Sequence, residues 1–448
     1  MKTNTSKIVI FIVTVLFLSP ISVVAPNLEA TQGGSYSDHL KGGWLEVRDG
    51  VRIVHLNGSY YNMGYQFGTL LKKDCLKSRE AWLQYLKATF NITHTDMLGL
   101  WNISKAYVPV QFQEEIQGRA DALGLTFNDT AIMEVIEQAY HVKKCSHFAA
   151  WGPATADGKL YHCRSLDGDI KVINPETGYD ASNDQLIIVR HPEGGCASVV
   201  VGDGIEVGGD GFNQHGISMS SSFVPTLDTT VNGTPTGIRS RMVLDQACTL
   251  EQAITIYCSS ATLGWNQIIS DGQTAIAIEQ SANYNHVCYW NDSYENMYPS
   301  RTIDHVIRRG NFFLDPVGAG FDKDVYRKST FLRFVLNGFG FIKTNYTFYN
   351  SIKHYQVLND AIRRENGKFT ANTTMDMMRA VYQGKTNLFY HLLQTALASQ
   401  GYRDTWIQWV ICPQTGEVLL SFSHNGTSAY VNPVHHFNIY ELMNAAAS

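Results

Sequence analysis

The sequence predicts an α+β fold with antiparallel sheets, and three observations predict it. Short stretches of alternating apolar and polar residues come in pairs around turn dipeptides such as Asp-Gly, which is the pattern of β-hairpins. Groups of these hairpins are separated by long amphipathic helical stretches. The regular alternation of single strands and helices that builds a parallel doubly wound sheet does not occur, so helices and hairpins are expected in separate layers.

The composition is that of a globular chain, and the charge argues against one class of partner. Of the 448 residues, 44% are hydrophobic and 17% are charged, which is too apolar for a disordered chain. The formal net charge of -5 gives no sign of a basic face, so no nucleic acid partner is expected.

The N-terminal residues predict a targeting segment that is not part of the fold. Lys2 and Lys7 precede an apolar run of seventeen residues, Ile8 to Val24, and Ala25 follows as a small residue suited to cleavage. We therefore predict a signal peptide over residues 1–25. The alternative is an uncleaved N-terminal anchor, and membrane contact is expected only through this segment.

Two further features indicate a secreted or otherwise extracytoplasmic location, such as a lysosome-like compartment or the cell surface. Nine Asn-x-Ser/Thr triplets are candidate glycosylation sites, and they begin at Asn57, Asn91, Asn102, Asn128, Asn232, Asn291, Asn345, Asn372 and Asn425. The chain also has eight cysteines, for which a disulfide is the usual state outside the cytosol, and the sequence leaves their pairing open.

The N-terminal third is predicted to hold a hairpin followed by helices. Two short strands flank the turn dipeptide Asp49-Gly50, and Ser59 is placed to cap the first helix. Gly64 and Gly68 lie four residues apart on that helix, and such a pair predicts close packing against another backbone. Further helices are predicted to about residue 90, over residues 111–123, and after a capping box formed by Thr126 and Asp129.

From Cys145 onward the pattern changes from that of helices to that of strands. Hairpins are predicted over residues 145–164, 185–201, 265–279 and 406–422, with a further turn and strand over residues 211–218. Helices are predicted over residues 249–259, 326–336, 353–365 and 374–400. The Gly-rich segment 202–211 lacks the spacing of a dinucleotide-binding loop, and neither a cofactor nor a metal is expected.

Cys145 stands where the helical region gives way to the first of these hairpins, and we interpret it as a latent nucleophile. Cutting the Lys144–Cys145 bond would make Cys145 the first residue of a mature chain. Its free α-amine, with a pKa of about 8, could then accept the proton of the thiol on the same residue. Before the cut, the thiol can attack the carbonyl that precedes it. The simpler alternative is a packing or disulfide cysteine.

Three polar residues could complete such a site. Arg164 and Asp167 end the returning strand of the hairpin, where the guanidinium can stabilise the Cys145 thiolate and the carboxylate can orient the α-amine. Asn266 enters a later hairpin and is a candidate donor to the oxyanion. The residue types alone leave simpler alternatives open, namely a surface ion pair for Arg164 and Asp167 and a turn or strand-edge role for Asn266.

Several segments, in this order along the chain, resemble the acyl-coenzyme A:isopenicillin N acyltransferase-like family of N-terminal-nucleophile hydrolases, which is peptidase C45-like. The segments are residues 58–68 (G-x-x-x-x-M-G-x-Q-x-G), 114–120, 145–167, 211–216 (similar to G-x-N-E-x-G) and 266–279. Two departures stand out. Gln214 occupies the position where the family usually has Glu, and residues 302–313, with Arg308, Arg309 and Asn311, resemble the family's later strand only loosely.

This resemblance implies a four-layer αββα sandwich built by one domain over residues 31–448. It implies self-cleavage into an N-terminal α-subunit region, residues 31–144, and a nucleophile-bearing β-subunit region, residues 145–448, which stay associated. The implied activity is hydrolysis of, or acyl transfer from, a non-peptide or small-peptide amide through a thioester on Cys145. Arg164, Asp167 and Asn266 would support Cys145, and the candidate contacts to a small-molecule amide or acyl substrate are Trp151, Asn213 and Trp265.

Three alternatives stay open. A phospholipase-B-like or ceramidase-like lipid amidase of the same fold would have a deep apolar acyl pocket. A metal site could use ligand types near the hairpin, although their spacing matches no common zinc pattern: His141, Cys145, His147, His162 and Cys163. Tryptophans such as Trp151 and Trp265 are common in cores, and a non-catalytic glycoprotein could keep the fold as a binding module with an uncut chain.

Overall fold

The computed structural model describes residues 36–139, 144–168, 171–203, 209–338, 348–388 and 404–445. Its helices are α1 (Tyr36–Leu40), α2 (Tyr60–Leu70), α3 (Lys72–Phe90), α4 (His94–Ser104), α5 (Val110–Leu123), α6 (Phe127–Ala131), α7 (Ile136–Ala139), α8 (Thr236–Gln246), α9 (Leu250–Tyr257), α10 (Val325–Lys328), α11 (Phe331–Gly338), α12 (Tyr349–Glu365), α13 (Ala371–Tyr382) and α14 (Ile439–Met443). Its strands are β1 (Trp44–Arg48), β2 (Val51–Gly58), β3 (Lys144–Gly152), β4 (Gly158–Asp167), β5 (Leu186–Pro192), β6 (Ser198–Gly202), β7 (Gly211–Asn213), β8 (Ser218–Phe223), β9 (Trp265–Ser270), β10 (Ala275–Gln280), β11 (Asn285–Cys288), β12 (Val306–Arg309), β13 (Thr405–Cys412), β14 (Glu417–Phe422) and β15 (His435–Asn438). The predicted signal peptide lies outside the described residues.

Nine strands form the larger sheet, in the order β1-β2-β5-β6-β7-β8-β9-β10-β11. Neighbouring strands run antiparallel, apart from the parallel pair of β2 and β5. Parallel neighbours need a long crossover connection. Here the connection contains helices α2 to α7 and the hairpin β3–β4, so the chain enters the second sheet before it returns to the first.

Six antiparallel strands form the second sheet, in the order β12-β3-β4-β13-β14-β15. The two sheets meet through polar as well as apolar side chains. His147 on β3 and His162 on β4 hydrogen-bond to serine hydroxyls of β8 at 2.6 to 3.1 Å. Apolar residues of both sheets, among them Ala149, Ile268 and Ala277, form a buried cluster between them.

Helices cover the outer faces of both sheets. Phe67 of α2 and Leu244 of α8 share a buried cluster with Val54 of the larger sheet. Leu358 of α12 shares another cluster with Phe148 of the second sheet. The layers therefore follow the order helix, sheet, sheet, helix, and the predicted αββα sandwich with antiparallel sheets is confirmed.

Helices α2 and α5 pack with their backbones in contact, as the glycine pair predicts. A Cβ atom on Gly64 would overlap the carbonyl oxygen of Glu115, and one on Gly118 would overlap that of Tyr61. Glycine is therefore required on both helices, because any side chain at these positions would push the helices apart.

The predicted hairpins are confirmed, whereas some helices differ from the prediction. The pairs β3–β4, β5–β6, β9–β10 and β13–β14 form around the turns that the sequence indicates. Helix α8 is not predicted by the sequence, because its buried face includes the charged residues Arg239, Arg241 and Asp245 and so lacks an apolar periodicity. The prediction of one continuous helix over residues 374–400 is wrong, because α13 ends at Tyr382 and Gly384 follows with a φ of 74°. Residues 389–400 of that prediction lie outside the described residues.

Two further observations concern the surface. Among the described residues, no helix combines the length and the apolar composition needed to cross a membrane. Eight of the nine candidate glycosylation asparagines are described, and all eight are exposed: Asn57, Asn91, Asn102, Asn128, Asn232, Asn291, Asn372 and Asn425. Asn345 lies outside the described residues.

Candidate active site

Cys145 is the second residue of β3 and is buried between two neighbouring strands. Its Cα pairs with Leu166 of β4, and β12 runs along the other side of β3 with Arg309 opposite His147. Continuing that register beyond β12 brings Asn311 level with Cys145. The backbone N–H of Cys145 donates to Asn311 Oδ1 at 2.9 Å, so the nitrogen that would become the α-amine is already held by a side chain.

The Cys145 thiol lies beside a buried guanidinium. Arg164 Nη2 is 3.5 Å from Cys145 Sγ, and Arg164 Nη1 forms an ion pair with the carboxylate of Asp210. Ser221 donates a hydrogen bond to the other Asp210 oxygen at 2.9 Å. A fixed positive charge stabilises a thiolate more than a thiol, so this arrangement favours the nucleophilic form of Cys145.

Asp167 is buried in a hydrogen-bond network next to this thiol. Its carboxyl oxygens accept from the hydroxyls of Tyr382 at 2.6 Å, Ser165 at 2.9 Å and Thr405 at 2.9 Å. Tyr382 also contacts Ser146 Oγ at 2.6 Å. Burial raises the pKa of Asp167 to about 7, although these hydrogen bonds and the charge of Arg164 act in the opposite direction.

This raised pKa predicts that Asp167 makes the fold less stable at alkaline pH. The pKa in the folded chain, about 7, lies above the ordinary value of 3.8, so the contribution is fully present below 3.8 and is lost as pH rises through 7. Between pH 5 and pH 8 the free energy of unfolding should fall for the chain with Asp167 and fall less for Asp167→Asn. We expect the difference between the two chains to be a few kcal/mol, at about 1.4 kcal/mol per pKa unit. Both chains would carry Cys145→Ala to keep them uncut. Equal pH dependence of the two chains in denaturant titrations would contradict this assignment.

Asn266 is linked to Cys145 through residues 310–312, and its amide hydrogens already have acceptors. Asn266 Nδ2 donates to the backbone oxygens of Gly310 at 2.7 Å and Phe312 at 2.8 Å. These bonds hold the segment that carries Asn311 against β9. For Asn266 to donate to an oxyanion, one of these carbonyl groups has to move away, and the oxyanion role therefore stays a prediction.

A cavity opens in front of Cys145 and Arg164, and its walls mix indole rings with polar groups. The lining includes Trp265, one of the three candidate substrate contacts, together with Trp406 and Trp409 of β13. The remaining lining residues are Glu137, Leu166, Gln185, Val201, Gly202, Asp203, Gly209, Asp210, Ser221, Thr236, Gly237, Ser240 and Ile407. A second, smaller cavity is lined by Cys145, Asp167, Asn311 and His354, among others.

The other two candidate substrate contacts lie elsewhere. Trp151 is six residues along β3 from Cys145, roughly 20 Å at the usual rise of a strand, and packs between the sheets against Ile268. Asn213 donates to the backbone oxygens of Leu244 at 3.1 Å and Ala247 at 2.7 Å, so its side chain fixes a turn. The structure does not bring either residue to the thiol.

The alternative metal site near the hairpin is not assembled by the described residues. Both ring nitrogens of His147 and of His162 contact serine hydroxyls, so neither imidazole has a nitrogen left for an ion. Cys163 packs in the cluster on the opposite face of β4. His141 lies outside the described residues.

Sequence reasoning does not identify three residues that complete the site. Asp210 lies in the Gly-rich segment, which is considered only as a dinucleotide-binding loop and rejected as one. Tyr382 belongs to a helix and lies 215 positions after Asp167 in the sequence. Asn311 appears only within a segment of loose family resemblance. The one available signal for Asn311 is its place directly after an Arg-rich strand, next to Gly310.

Cys145 is a buried cysteine at the start of a strand. A guanidinium contacts its sulfur and an amide oxygen accepts from its backbone nitrogen, which together define a candidate site for cysteine-dependent acyl transfer or amide hydrolysis. Residues 179–297 match the family model for acyl-coenzyme A:6-aminopenicillanic acid acyl-transferase. This match, over about a quarter of the chain, confirms the resemblance that the motifs predict. The matched segment contains Asp210, Trp265 and Asn266, and Cys145 precedes it.

The chain is also similar to curated proteins of other organisms and to solved structures. An uncharacterised protein of Archaeoglobus fulgidus is 26% identical over 51% of this chain and 42% of its own length. Protein dcd1B of Dictyostelium discoideum is 26% identical over 32% of this chain and 31% of its own length. The matches thus span less than half of these relatives. The structure of penicillin V acylase from Agrobacterium tumefaciens aligns over 68% of this chain and 90% of its own, at 13% identity and a TM-score of 0.35.

Proposed function

We propose that the protein is a self-processing amide hydrolase or acyltransferase whose nucleophile is Cys145 as an N-terminal residue. One observation carries the proposal: Arg164 Nη2 contacts Cys145 Sγ at 3.5 Å while Asn311 Oδ1 accepts from the Cys145 nitrogen at 2.9 Å. The sulfur and nitrogen of one residue are thereby each held by a separate polar side chain, as a nucleophile and its own base would need to be.

Self-cleavage would begin at the bond before the strand. The Cys145 thiol gives up its proton, and the sulfur attacks the carbonyl carbon of Lys144. The carbon–nitrogen bond breaks, the acyl group passes from nitrogen to sulfur, and the departing nitrogen takes up that proton to become the amine. Water then hydrolyses this thioester, which releases residue 144 as a carboxylate and leaves a free amine and thiol on Cys145. Arg164 stabilises the thiolate, and Asn311 can retain its hydrogen bond to the new amine throughout.

Turnover of a substrate amide would repeat the same chemistry on a foreign carbonyl. The α-amine of Cys145 accepts the thiol proton as sulfur attacks, and the protonated amine then donates a proton to the leaving nitrogen. A thioester on Cys145 results. Water completes hydrolysis, whereas a second amine completes acyl transfer. Asp167 lines the smaller cavity together with Cys145 and accepts a hydrogen bond from Tyr382 at 2.6 Å, so this pair would set the charge at that side of the site.

The cavity walls suggest the class of acyl group. Trp265, Trp406 and Trp409 offer flat apolar surfaces, while Arg164 and Asp210 make the side nearest the sulfur polar. A compact acyl group with an aromatic or short aliphatic part fits this lining better than a fully extended lipid chain. The lipid amidase alternative would require the acyl chain to pass beyond the three indoles.

Mass spectrometry of the trapped acyl-enzyme tests the proposal. The processed protein would be mixed with N-acyl p-nitroanilides that carry acetyl, phenylacetyl, octanoyl or palmitoyl groups, and quenched in acid. We expect an adduct on the fragment beginning with Cys145, with the fastest release of nitroaniline for phenylacetyl or octanoyl. The variant Cys163→Ala, which removes a buried thiol of the neighbouring strand, should behave like the wild type. A palmitoyl preference would favour the lipid amidase, and no adduct with any substrate would favour a non-catalytic binding module.

Export is part of the proposal, because the exposure of all eight described glycosylation asparagines supports it. Chance triplets would be expected to include some buried asparagines. We therefore propose a glycosylated, extracytoplasmic protein with residues 1–25 as its leader. A peptide glycosidase should shift the secreted protein to lower apparent mass on a denaturing gel.

A further inference from the structure

Two cysteines and a histidine converge on the larger sheet at a place that the proposed reaction does not use. Cys196 lies between β5 and β6, His215 in the turn between β7 and β8, and Cys248 between α8 and α9. The sulfur atoms and a ring nitrogen of these residues all lie within 4.8 Å of one another. Three separate connections of the chain therefore meet at this one point.

Hydrogen bonds that do not involve the sulfur atoms hold these connections together. Cys196 N donates to the carbonyl oxygen of Asp245 at 2.8 Å, which fixes Cys196 against the end of α8. The side chain of Asn213 bridges from the β7–β8 turn to Leu244 and Ala247 of the same helix end. The approach of the two thiols is thus a property of the fold and not of one flexible side chain.

We propose that Cys196 and Cys248 form a disulfide. The alternative occupant is a metal ion, but structural zinc sites normally have four protein ligands and this cluster offers three. His215 Nε2 is also 3.3 Å from Gln214 Nε2, and an amide nitrogen can only donate there, which engages that lone pair. Two adjacent thiols in an extracytoplasmic protein are expected to oxidise.

The oxidant is a small disulfide of the kind found in secretory compartments, such as oxidised glutathione. Cys248 is exposed and Cys196 is buried, so the Cys248 thiolate attacks the small disulfide first and displaces one thiol. The Cys196 thiolate then attacks the Cys248 sulfur of the mixed disulfide and displaces the second thiol. The protein loses two protons and two electrons, and the small disulfide gains them as it becomes two thiols.

The bridge would brace the helix that borders the active-site cavity. It joins residues 52 positions apart and fastens the β5–β6 connection to the C-terminal end of α8. The N-terminal half of α8 supplies Thr236 and Ser240 to the cavity in front of Cys145. The chain entropy of a loop of this length gives the expected effect: loss of the disulfide should lower the Tm of a protein of this size by about 5 °C.

Peptide mapping of the secreted full-length protein under non-reducing conditions tests the proposal. Digestion with trypsin and a protease that cuts after Glu separates each cysteine, in peptides 194–206 and 242–251. We expect these two peptides to be linked, and to separate on reduction. Both cysteines alkylated before reduction would overturn the disulfide. A zinc ion in the native mass spectrum with both thiols free would do the same and would assign a metal site instead.

Thermal unfolding gives a second, independent measurement. Reductant should lower the Tm of the wild type and of the control Cys258→Ser by about 5 °C, and leave Cys248→Ser unchanged. Cys258 is a suitable control because it lies on the same helical hairpin, one residue after α9, and is only partly buried. An equal effect of reductant on all three proteins would show that it acts elsewhere. Neither measurement depends on catalysis, so failure of the proposed amidase activity would leave this result intact.

Discussion

The variant Cys145→Ala is expected to remain a single chain and to lose amide hydrolysis by a factor on the order of 10⁴ or more. Wild-type protein should give two fragments on a denaturing gel, and N-terminal sequencing of the larger one should begin at Cys145. The reason is that both reactions start from the same sulfur. Arg164 Nη2 lies 3.5 Å from this sulfur and supports its thiolate in both reactions.

The variant Cys163→Ala provides the matched control. Cys163 is buried on β4 directly beside Arg164. Its side chain packs in the apolar cluster with α12 and α13, on the face of the sheet opposite to Arg164. Burial raises the pKa of the Cys163 thiol well above its ordinary value, so this thiol stays protonated. Cys163→Ala should therefore process normally despite a small loss of packing. Intact wild-type chain that nevertheless turns over an amide would contradict the N-terminal nucleophile and point to an ordinary thiol enzyme.

A variant of Asp210 tests the contribution of the charges around the thiol separately from that of the thiol itself. Asp210→Asn removes the negative partner of Arg164 but retains the shape of the side chain and the contact with Ser221. The guanidinium would then be free to turn away from Cys145 Sγ. We expect processing to slow rather than stop, which a time course of cleavage after refolding would measure.

The fold could be predicted where its signals are local. Turn dipeptides and alternating residues define β3–β4, β9–β10 and β13–β14, because a hairpin is specified by adjacent residues. Helix α8 could not be predicted in this way, because Arg239, Arg241 and Asp245 are buried through ion pairs and hydrogen bonds with distant parts of the chain. Its stability depends on partners that no local pattern contains.

The candidate site follows the same rule. Arg164 could be placed near Cys145 because a hairpin brings its two strands together, and the structure has the two side chains in contact. Trp151, by contrast, lies on the same strand as Cys145 but too far along it to share the cavity. Asp210, Asn311 and Tyr382 reach the site from three other elements, and the sequence does not reveal which elements will meet there.

The variant Glu115→Gln is expected to weaken the association of the two fragments by roughly 3 to 5 kcal/mol, the usual cost of breaking a buried ion pair. Glu115 belongs to α5, before the cleavage point, and its carboxylate accepts two hydrogen bonds from Arg190 of β5, after that point, at 2.7 and 3.1 Å. Burial alone would raise the pKa of Glu115, but Arg190 and Arg241 outweigh it and hold the pKa below its ordinary value. The carboxylate is therefore ionised at neutral pH, and its replacement leaves buried guanidinium groups underpaired.

The control Asp49→Asn alters a carboxylate–imidazole contact that also joins the two fragments but lies at the surface. Asp49 Oδ2 is 2.9 Å from His435 Nδ1, and the Asp49 side chain is 65% exposed, so its loss should cost less than about 1 kcal/mol. Size-exclusion chromatography of processed protein in increasing urea would report when the N-terminal fragment separates. We expect separation at lower urea for Glu115→Gln and no change for Asp49→Asn.

The same substitution in the uncut chain distinguishes association from stability alone. With Cys145→Ala present, Glu115→Gln should lower the urea midpoint of unfolding while the chain stays in one piece. The two pairs Glu115–Arg190 and Glu134–Arg241 both cross the predicted cleavage point, so the ion pairs that stabilise the precursor would also hold the mature fragments together. If Glu115→Gln and the wild type release the N-terminal fragment at the same urea concentration, the fragments are held by the apolar contacts of the core instead.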